Sequence, residues 1–482
     1  MSMHFGDESV GLSWDRQQQH QHQQQSHLSN RASAASDLEQ EPEEVVLDSR
    51  RTFYVHDTLA CPREEDPKED QILFFHPAEL PMMKQVALMD GIEGFSTFVK
   101  EFGMSPPKVI TLEHEKAACM HVGQYTLSLC APPEEPDTSL INQLHNLYSA
   151  FVFLHGSFDR VLKKAKNDKL KFREDIRNIW KRLTPLIRRT DTMSFTFQPV
   201  RFTELKRSAN RHFIAASQIL QMVKHRSGVL SGCIFFNKTI LCSHLDPATT
   251  FWIHLLYDII HPYASLGDVE STHQLMPVYL KKDIMTQLRV GARKTPEAKA
   301  GSTRIPEDFA PDEHGEYVGL YLQVLPRSTL VVVMELAAIY DLDLIHDMTE
   351  SFVPRLKRLE EQVSKATEAG NIDAVDWQSF MVFDRVDRSI HLPPPAPTEE
   401  LQLAFQSGVS LLHESFENND KITAQILCNP VGAMYSSKCF GRETYLQIPG
   451  GEFTIGPELL DMSRLEPAVA HRLSSEHQIS LP

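Results

Sequence analysis

Between Gln71 and Gly103 the chain reads QILFFHPAELPMMKQVALMDGIEGFSTFVKEFG, and its opening run, Ile72-Leu73-Phe74-Phe75, is apolar without alternation. A half-exposed strand alternates, so this run predicts a central strand covered on both faces. After His76-Pro77 the period changes. Val86, Met89, Ile92, Phe95, Val99 and Phe102 recur every three or four residues, with Lys84, Asp90, Glu93, Lys100 and Glu101 between them. That spacing predicts an amphipathic helix with Ile92 and Phe95 on its core side, stopped by Gly103 and the following Pro106-Pro107. Nothing in the stretch pairs a nucleophile with a base, and no glycine-rich phosphate loop joins strand to helix.

The rest of the chain repeats this kind of unit. A short strand pattern at Arg51 to Val55 precedes it, and Lys108 to Ala131 reads as three strands with Gly123 at a hairpin. Two helices follow, one capped by Thr138 or Ser139 and carrying Leu140, Leu144, Leu147, Phe151 and Leu154, the other from Leu170 to Arg189 carrying Ile176, Ile179, Trp180, Leu183 and Ile187. A sheet with one helix on one face and two on the other accommodates this order. A second unit is predicted from a strand at Ser194 to Val200, a helix at Arg207 to Val223, two strands turning at Asn237-Lys238, and a helix capped by Asp246. Residues 264 to 315 read as a linker or excursion. A third unit opens with a hairpin about Pro326-Arg327, then a helix from Asp347 to Ala369 and strands at Ser379 to Phe383, Lys421 to Leu427, Ala433 to Ser436 and Thr444 to Ile448.

The length of 482 residues suits about three domains. Residues 1-49 hold the tract QQQHQHQQQ and few apolar groups, and are expected to be a disordered tail. The divisions that follow are 50-190, 191-300 and 301-482. Absence of a basic, apolar start argues for the cytosol, and no apolar run is long enough to span a bilayer. Seven scattered cysteines (61, 119, 130, 233, 242, 428 and 439) without a C-x-x-C pair predict buried reduced thiols and no metal site. A net charge of -16 speaks against nucleic acid as a partner.

With these pieces placed, TFYVHDTLACPREEDPKEDQILFFHP, AFVFLHGSFDRVL, GCIFFNKTILCSHLD, the pair LYLQVL and LVVVMEL, and FMVFDRVDRSIHLP make the chain resemble the vacuolar fusion protein CCZ family, the Ccz subunit of the Mon-Ccz complex. The resemblance runs over roughly residues 51 to 460. It implies an α/β (α+β) fold of three longin-like domains in series. It also implies a subunit of a guanine-nucleotide exchange factor for a late-endosomal Rab GTPase, paired with a Mon subunit through the first domain, with room for a third regulatory subunit. Such a protein needs no cofactor and no catalytic residue, since nucleotide exchange breaks no covalent bond. Peripheral recruitment to endosomal or lysosomal membranes is part of the same expectation. The glutamine-rich tail departs from the family pattern.

For the surface shared by partner and GTPase, the candidates are Pro81, Met82, Lys84, Gln85 and Asp90, at the start of the first helix or on its polar side. A solvated helix face is the competing reading. A second feature is purely electrostatic. From Arg160 to Arg189 twelve Lys or Arg stand against three acids, a local net charge of +9 in an acidic chain. Lys163, Lys164, Lys166, Lys169 and Lys171 are therefore candidates for contact with anionic membrane. His155, His254 and His261, like Trp180, Trp252 and Trp377, are expected to be structural, and Pro393 to Pro397 an extended linker.

Overall fold

The structure, a computed structural model, describes residues 51–61, 63, 66–187, 192–203, 205, 209–260, 272–290, 309–368, 380–391, 399–429 and 432–449. The expected tail, His261, Trp377 and the Pro393 to Pro397 run lie outside the described residues. Among the described residues fifteen strands form three five-stranded antiparallel sheets. The first holds β1 (Thr52–Asp57), β2 (Ile72–His76), β3 (Val109–Thr111), β4 (Lys116–Val122) and β5 (Tyr125–Ala131), in the order β2-β1-β5-β4-β3. The second holds β6 (Val229–Phe236), β7 (Thr239–Ser243), β8 (Thr272–Lys281), β9 (Gly315–Val324) and β10 (Ser328–Glu335), in the order β7-β6-β10-β9-β8. The third holds β11 (Phe380–Asp384), β12 (Ser389–His391), β13 (Ala424–Asn429), β14 (Gly432–Cys439) and β15 (Arg442–Pro449), in the order β12-β11-β15-β14-β13. Counted within each sheet, all three orders are two-one-five-four-three. The threefold repetition is thus a matter of chain path and not only of composition.

The helices, in chain order, are α1 (Met82–Glu101), α2 (Asp137–His155), α3 (Phe158–Lys164), α4 (Lys169–Ile187), α5 (Thr192–Phe197), α6 (Arg211–Lys224), α7 (Pro247–Leu255), α8 (Tyr257–Ile260), α9 (Lys282–Arg289), α10 (Leu342–Glu368) and α11 (Glu399–Asn418). On the first sheet, α1 covers the face bearing Tyr54, Ile72 and Phe75, while α2 and α4 cover the face bearing Phe53, Leu73 and Phe74. This is the expected arrangement of one helix against two. Trp180 of α4 is fully buried, its ring 4.7 Å from that of Phe53 and stacked on Phe151 at 5.4 Å. The Ile72 to Phe75 run is buried on both faces as expected, yet β2 is an edge strand and not a central one. Helices above and below it explain the missing alternation, and Arg177 of α4 donates to its Leu73 carbonyl at 3.4 Å.

Several elements differ from the reading of the sequence. Ser194 to Val200 is helical over α5 instead of extended; Met193, Phe195 and Phe197 are all buried, and periodicity cannot separate strand from helix in so short an apolar run. Residues 264 to 315, read as linker, contain β8 and α9. The hairpin of β9 and β10, read as the start of a third unit, pairs with β6 in the second sheet, so a division at residue 300 would cut that sheet between β8 and β9. Helix α11 and strand β12 were not anticipated. Neither Thr138 nor Ser139 caps α2, whose N-cap position is Pro136 without a side-chain bond. Asp246 does cap α7, accepting from the Thr249 amide at 2.9 Å, and Asn237-Lys238 turns the β6–β7 hairpin with both φ values positive.

The first two sheets share one core. Helix α2 lies against β8 as well as its own sheet, and residues such as Leu147, Phe151, Phe235, Val278 and Val331 belong to a single buried cluster. At the seam, Arg160 donates from Nε to Asp312 Oδ2 at 2.6 Å and from Nη2 to the Ala310 carbonyl at 2.5 Å, with its guanidinium 5.0 and 5.1 Å from the Tyr279 and Tyr317 ring centres. Tyr317 donates to the His155 carbonyl at 2.6 Å. α2 ends there on Gly156 at φ +77°, where a Cβ would stand 2.7 Å from the Arg160 side chain. The third sheet is joined through α5, whose Phe197 ring lies 4.4 Å from His413 and 4.9 Å from Phe383. Gln198 then donates to Asn146 of α2 and accepts from Arg388 beside β12, each at 2.8 Å.

The seam yields a test. Burial disfavours charge on Asp312, but hydrogen bonds from Tyr279, Arg160 and the Gly315 and His314 amides outweigh it and hold the carboxyl well below its usual value. The resulting stability is present above the unfolded carboxyl value of about 3.9 and is lost as pH falls through the folded one. Arg160→Ala should cost roughly 1–3 kcal/mol, since the pair is only partly buried. Asp312→Asn should flatten the acid limb of stability. Urea unfolding at neutral and acid pH measures both, and an unchanged midpoint for Arg160→Ala would show that the seam contributes nothing.

Candidate functional site

The first helix carries two apolar faces. Its inner side presents Gln85, Met89, Ile92 and Ser96 to the sheet. Only two of these are large apolar groups, and Gln85 satisfies its buried amide by donating to the Leu80 carbonyl at 2.7 Å. Around the opposite side run Met83, 84% exposed, Phe95 at 46%, Phe98 at 56% and Phe102 at 66%, with the Phe98 and Phe102 rings 4.8 Å apart edge to face. Between Met83 and the phenylalanines the outer face is nearly flat. Gly91 and Gly94 lie there, and a Cβ added to either meets nothing within 4 Å.

These glycines matter energetically. In a helix interior each disfavours folding by about 1 kcal/mol relative to alanine, and among the described residues nothing packs where either side chain would be. A close approach from outside is the remaining physical use of a missing side chain. The helix therefore presents an exposed apolar stripe, with Met83 near its start, Phe95, Phe98 and Phe102 near its end, and Gly91 and Gly94 between. Such a patch is characteristic of a protein-protein contact and not of a catalytic cleft.

Of the five residues expected here, Pro81, Met82 and Lys84 are exposed at the start of α1. Gln85 is a correction: at 6% exposure it belongs to the core side. Asp90 is half-buried and accepts from Lys68 Nζ at 2.8 Å, an ion pair between partly exposed groups that ties α1 to the turn before β2. Phe95, expected in the core, is the second correction. Phe98, Met83 and the two glycines were missed because an apolar period of 3.6 marks a face without saying which way it points.

Beneath α1 lies a polar pocket. His56 is 1% exposed, with Nε2 3.5 Å from Glu93 Oε2, and that imidazole holds the Glu93 carboxyl below its usual value against the opposing effect of burial. His121 meets Thr126 Oγ1 at 2.9 Å, and burial lowers its pKa. Burial pushes the neighbouring Cys119 thiol up to about 11, so it is a protonated thiol at neutral pH and not a nucleophile. All seven cysteines are unpaired; Cys130 and Cys233 are buried as expected, whereas Cys428 is exposed.

A separate cluster lies in the third sheet. His413, Glu417 and Glu443 hold ligand-type atoms within 4.8 Å of one another. Arg385 already supplies a cation there, 2.5 Å from Glu417 and 3.8 Å from Glu443. Fully buried Glu443 also accepts from Tyr445 at 2.6 Å and contacts His413 Nδ1 at 2.7 Å. The arrangement reads as an ion-pair network that runs from buried Glu443 and His413 out to partly exposed Arg385 and Glu417. The basic stretch is arranged differently: Lys163, Lys164, Lys166, Lys169 and Lys171 are all exposed around the turn from α3 to α4.

The first unit, with its two-one-five-four-three sheet between one helix and two, is a longin-type domain. Residues 51–156 match the family described as the first longin domain of INTU, CCZ1 and HPS4. The chain is also 24% identical over 198 residues to the BLOC-3 complex member HPS4 of Mus musculus, a stretch covering 41% of this chain and 29% of that protein. The second and third units share the strand order of the first. Among the described residues no helix is long and apolar enough to cross a membrane.

The two faces of α1 make opposite predictions. Ile92→Asp places an unpaired carboxylate in the core and should destabilise the domain by roughly 3–5 kcal/mol. Phe95→Asp, on the outer face, should change stability by no more than about 1 kcal/mol. Thermal unfolding followed by circular dichroism distinguishes them, and equal losses would show that the outer face is packed.

Proposed function

We propose that this chain is a longin subunit of a heteromeric guanine-nucleotide exchange factor for a Rab GTPase. The observation that carries the reading is the outer face of α1, where two helix-interior glycines and an apolar rim meet no packing partner among the described residues. Its support is the match of residues 51–156 to the first longin domains of CCZ1 and HPS4, and the likeness to a mouse protein that is itself a member of a complex. On the finer reading the partner is a Mon-type longin subunit and the substrate a late-endosomal Rab. The activity then serves early-to-late endosome conversion and fusion with lysosome, vacuole or autophagosomes. A second reading, a subunit of the related exchange factor for Rabs of lysosome-related organelles, draws on the mouse relative.

The mechanism requires no acid, base or nucleophile. A GTPase holds its nucleotide mainly through phosphate and magnesium contacts. A factor that binds the empty GTPase more tightly than the loaded one weakens the nucleotide by the same factor, since the coupling is reciprocal. What the chain must supply is a rigid surface. The α1 face, seated on the sheet through Met89 and Ile92, is the surface assigned to this role, and a second longin domain shares it in the proposed pair.

Glycine replacement tests this reading with opposed signs. Gly91→Ala together with Gly94→Ala should stabilise the isolated chain, by up to about 1 kcal/mol per site, while weakening co-purification with a Mon-type subunit and slowing fluorescent-GDP release by the pair. The chain alone should release GDP poorly from every Rab tried. Strong release by the chain alone refutes the shared surface. Pairing without release from any Rab would make the protein a tethering adaptor.

A further inference from the structure

We propose that the turn joining α3 to α4 is a membrane-insertion tip, in which exposed lysines hold the chain against an anionic bilayer and Leu170 enters the headgroup boundary. The turn is firmly based. Val161 and Ala165 before it and Phe172 after it are buried in the core, so it cannot fold back onto the protein. Lys166 and Asn167 take left-handed φ angles of 55° and 60°, which turn the chain from α3 into α4, and residues 166 to 171 are all exposed. Leu170 stands beyond them at 79% exposure, between Lys169 and Lys171.

The division of labour among the cations separates this turn from an ordinary solvated face. Arg160, Arg173 and Arg177 of the same stretch turn inward, to Asp312, Asp70 and the Leu73 carbonyl. Among the described residues, no ion pair or side-chain hydrogen bond engages Lys163, Lys164, Lys166, Lys169 or Lys171. The acid within the turn, Asp168, is spent as a cap, accepting from the Leu170 and Lys171 amides at 2.9 and 3.3 Å. Asp159, Glu174 and half-buried Asp175 are the other acids on α3 and α4, and Lys164 and Lys171 act on Asp175 from close by. Five exposed ammonium groups thus share this turn and the helix ends beside it with one exposed aliphatic side chain.

Chemistry selects the occupant. Lysines beside an anionic leaflet each add about a fivefold gain in binding, and a large aliphatic group inserted at the boundary about tenfold more. A convex tip offers no groove for a peptide, whereas a bilayer deforms around it. Nucleic acid would have to overcome the whole chain's charge of -16. The placement is also compatible with the proposed function without resting on it, because α4 and α1 lie on opposite faces of the first sheet.

The test uses the full chain and vesicles of phosphatidylcholine alone or with phosphatidylserine. Wild type should float with the serine-containing vesicles only, and less as salt rises, because the attraction acts over about a Debye length, roughly 8 Å at physiological ionic strength. Lys163→Glu, Lys164→Glu, Lys166→Glu and Lys169→Glu combined should lower binding at least about 100-fold, and Leu170→Glu about tenfold, with unfolding temperatures unchanged. Leu170→Trp should add a blue-shifted emission on binding, the sign of insertion that contact through charge alone cannot give. Binding of the quadruple variant equal to wild type, or no shift for Leu170→Trp, overturns the proposal. So does loss of a protein partner in place of lipid. Vesicles carrying a phosphoinositide at matched surface charge should bind equally; a strong preference would replace the diffuse tip by a headgroup site. GDP release in solution by the chain paired with a Mon-type subunit should be unaffected by these variants, which keeps this test apart from that of the exchange reading.

Discussion

The structure depends on one helix that must be apolar on several sides. Asp137–His155 buries Leu140, Leu144, Leu147, Ala150 and Phe151, and also places polar Gln143 and Asn146 out of solvent. One side closes the first sheet, another meets the edge strand of the second sheet, and Asn146 receives the Gln198 amide from the segment leading to the third. A helix covering a single sheet would need only a stripe of about 100°. This helix is wider in its apolar girth because it is the common wall between units. The ion pair of Arg160 with Asp312 lies five residues beyond its end, next to the Tyr317 bond to the His155 carbonyl, so electrostatic and apolar contacts at the seam meet at the end of the same element.

Against that wall the outer helix of the first unit is lightly held. It rests on Met89 and Ile92, with a polar pocket of His56, Glu93 and His121 under its second half. Its exposed side is more aromatic than its buried side. In a monomeric protein such an inversion exposes apolar surface to no benefit, which is why the proposed pairing with a second longin domain has physical force. The basic turn sits on the other side of the sheet, where arginines are consumed by internal contacts and lysines are left outward.

Local chemistry made much of this legible in the sequence. Gly123, Asn237-Lys238 and the Asp246 cap each specify a backbone geometry by themselves, and each is found where its residue type demands. The first unit was legible because its strands are short apolar blocks separated by turn residues. Pairing was not. Strand β8, with Gln274 and Pro277 inside it, looks like linker until β9 lies beside it, and the β9–β10 hairpin joins the second sheet through contacts with β6 that no local pattern records. The candidate site was half legible for a related reason: Ile92 and Phe95 share a periodicity, and only the sheet beneath decides that one is inside and the other outside.

Three repeats of one chain path do not make three thermodynamic units. In stacked repeat proteins each module contributes its own stability plus a boundary energy to its neighbours. Here the boundary between the first two sheets has become core: Phe151 and Val278 lie in the same buried cluster, with no solvated plane between them. Opening either sheet would expose the apolar face of the other, so the two should exchange their slowest amide protons at a common rate. The third sheet has its own cluster and is reached through Phe197 and Gln198, so its amides are free to exchange at a rate of their own. One chain path used three times gives the architecture, and the shared wall reduces the number of cooperative parts from three to two.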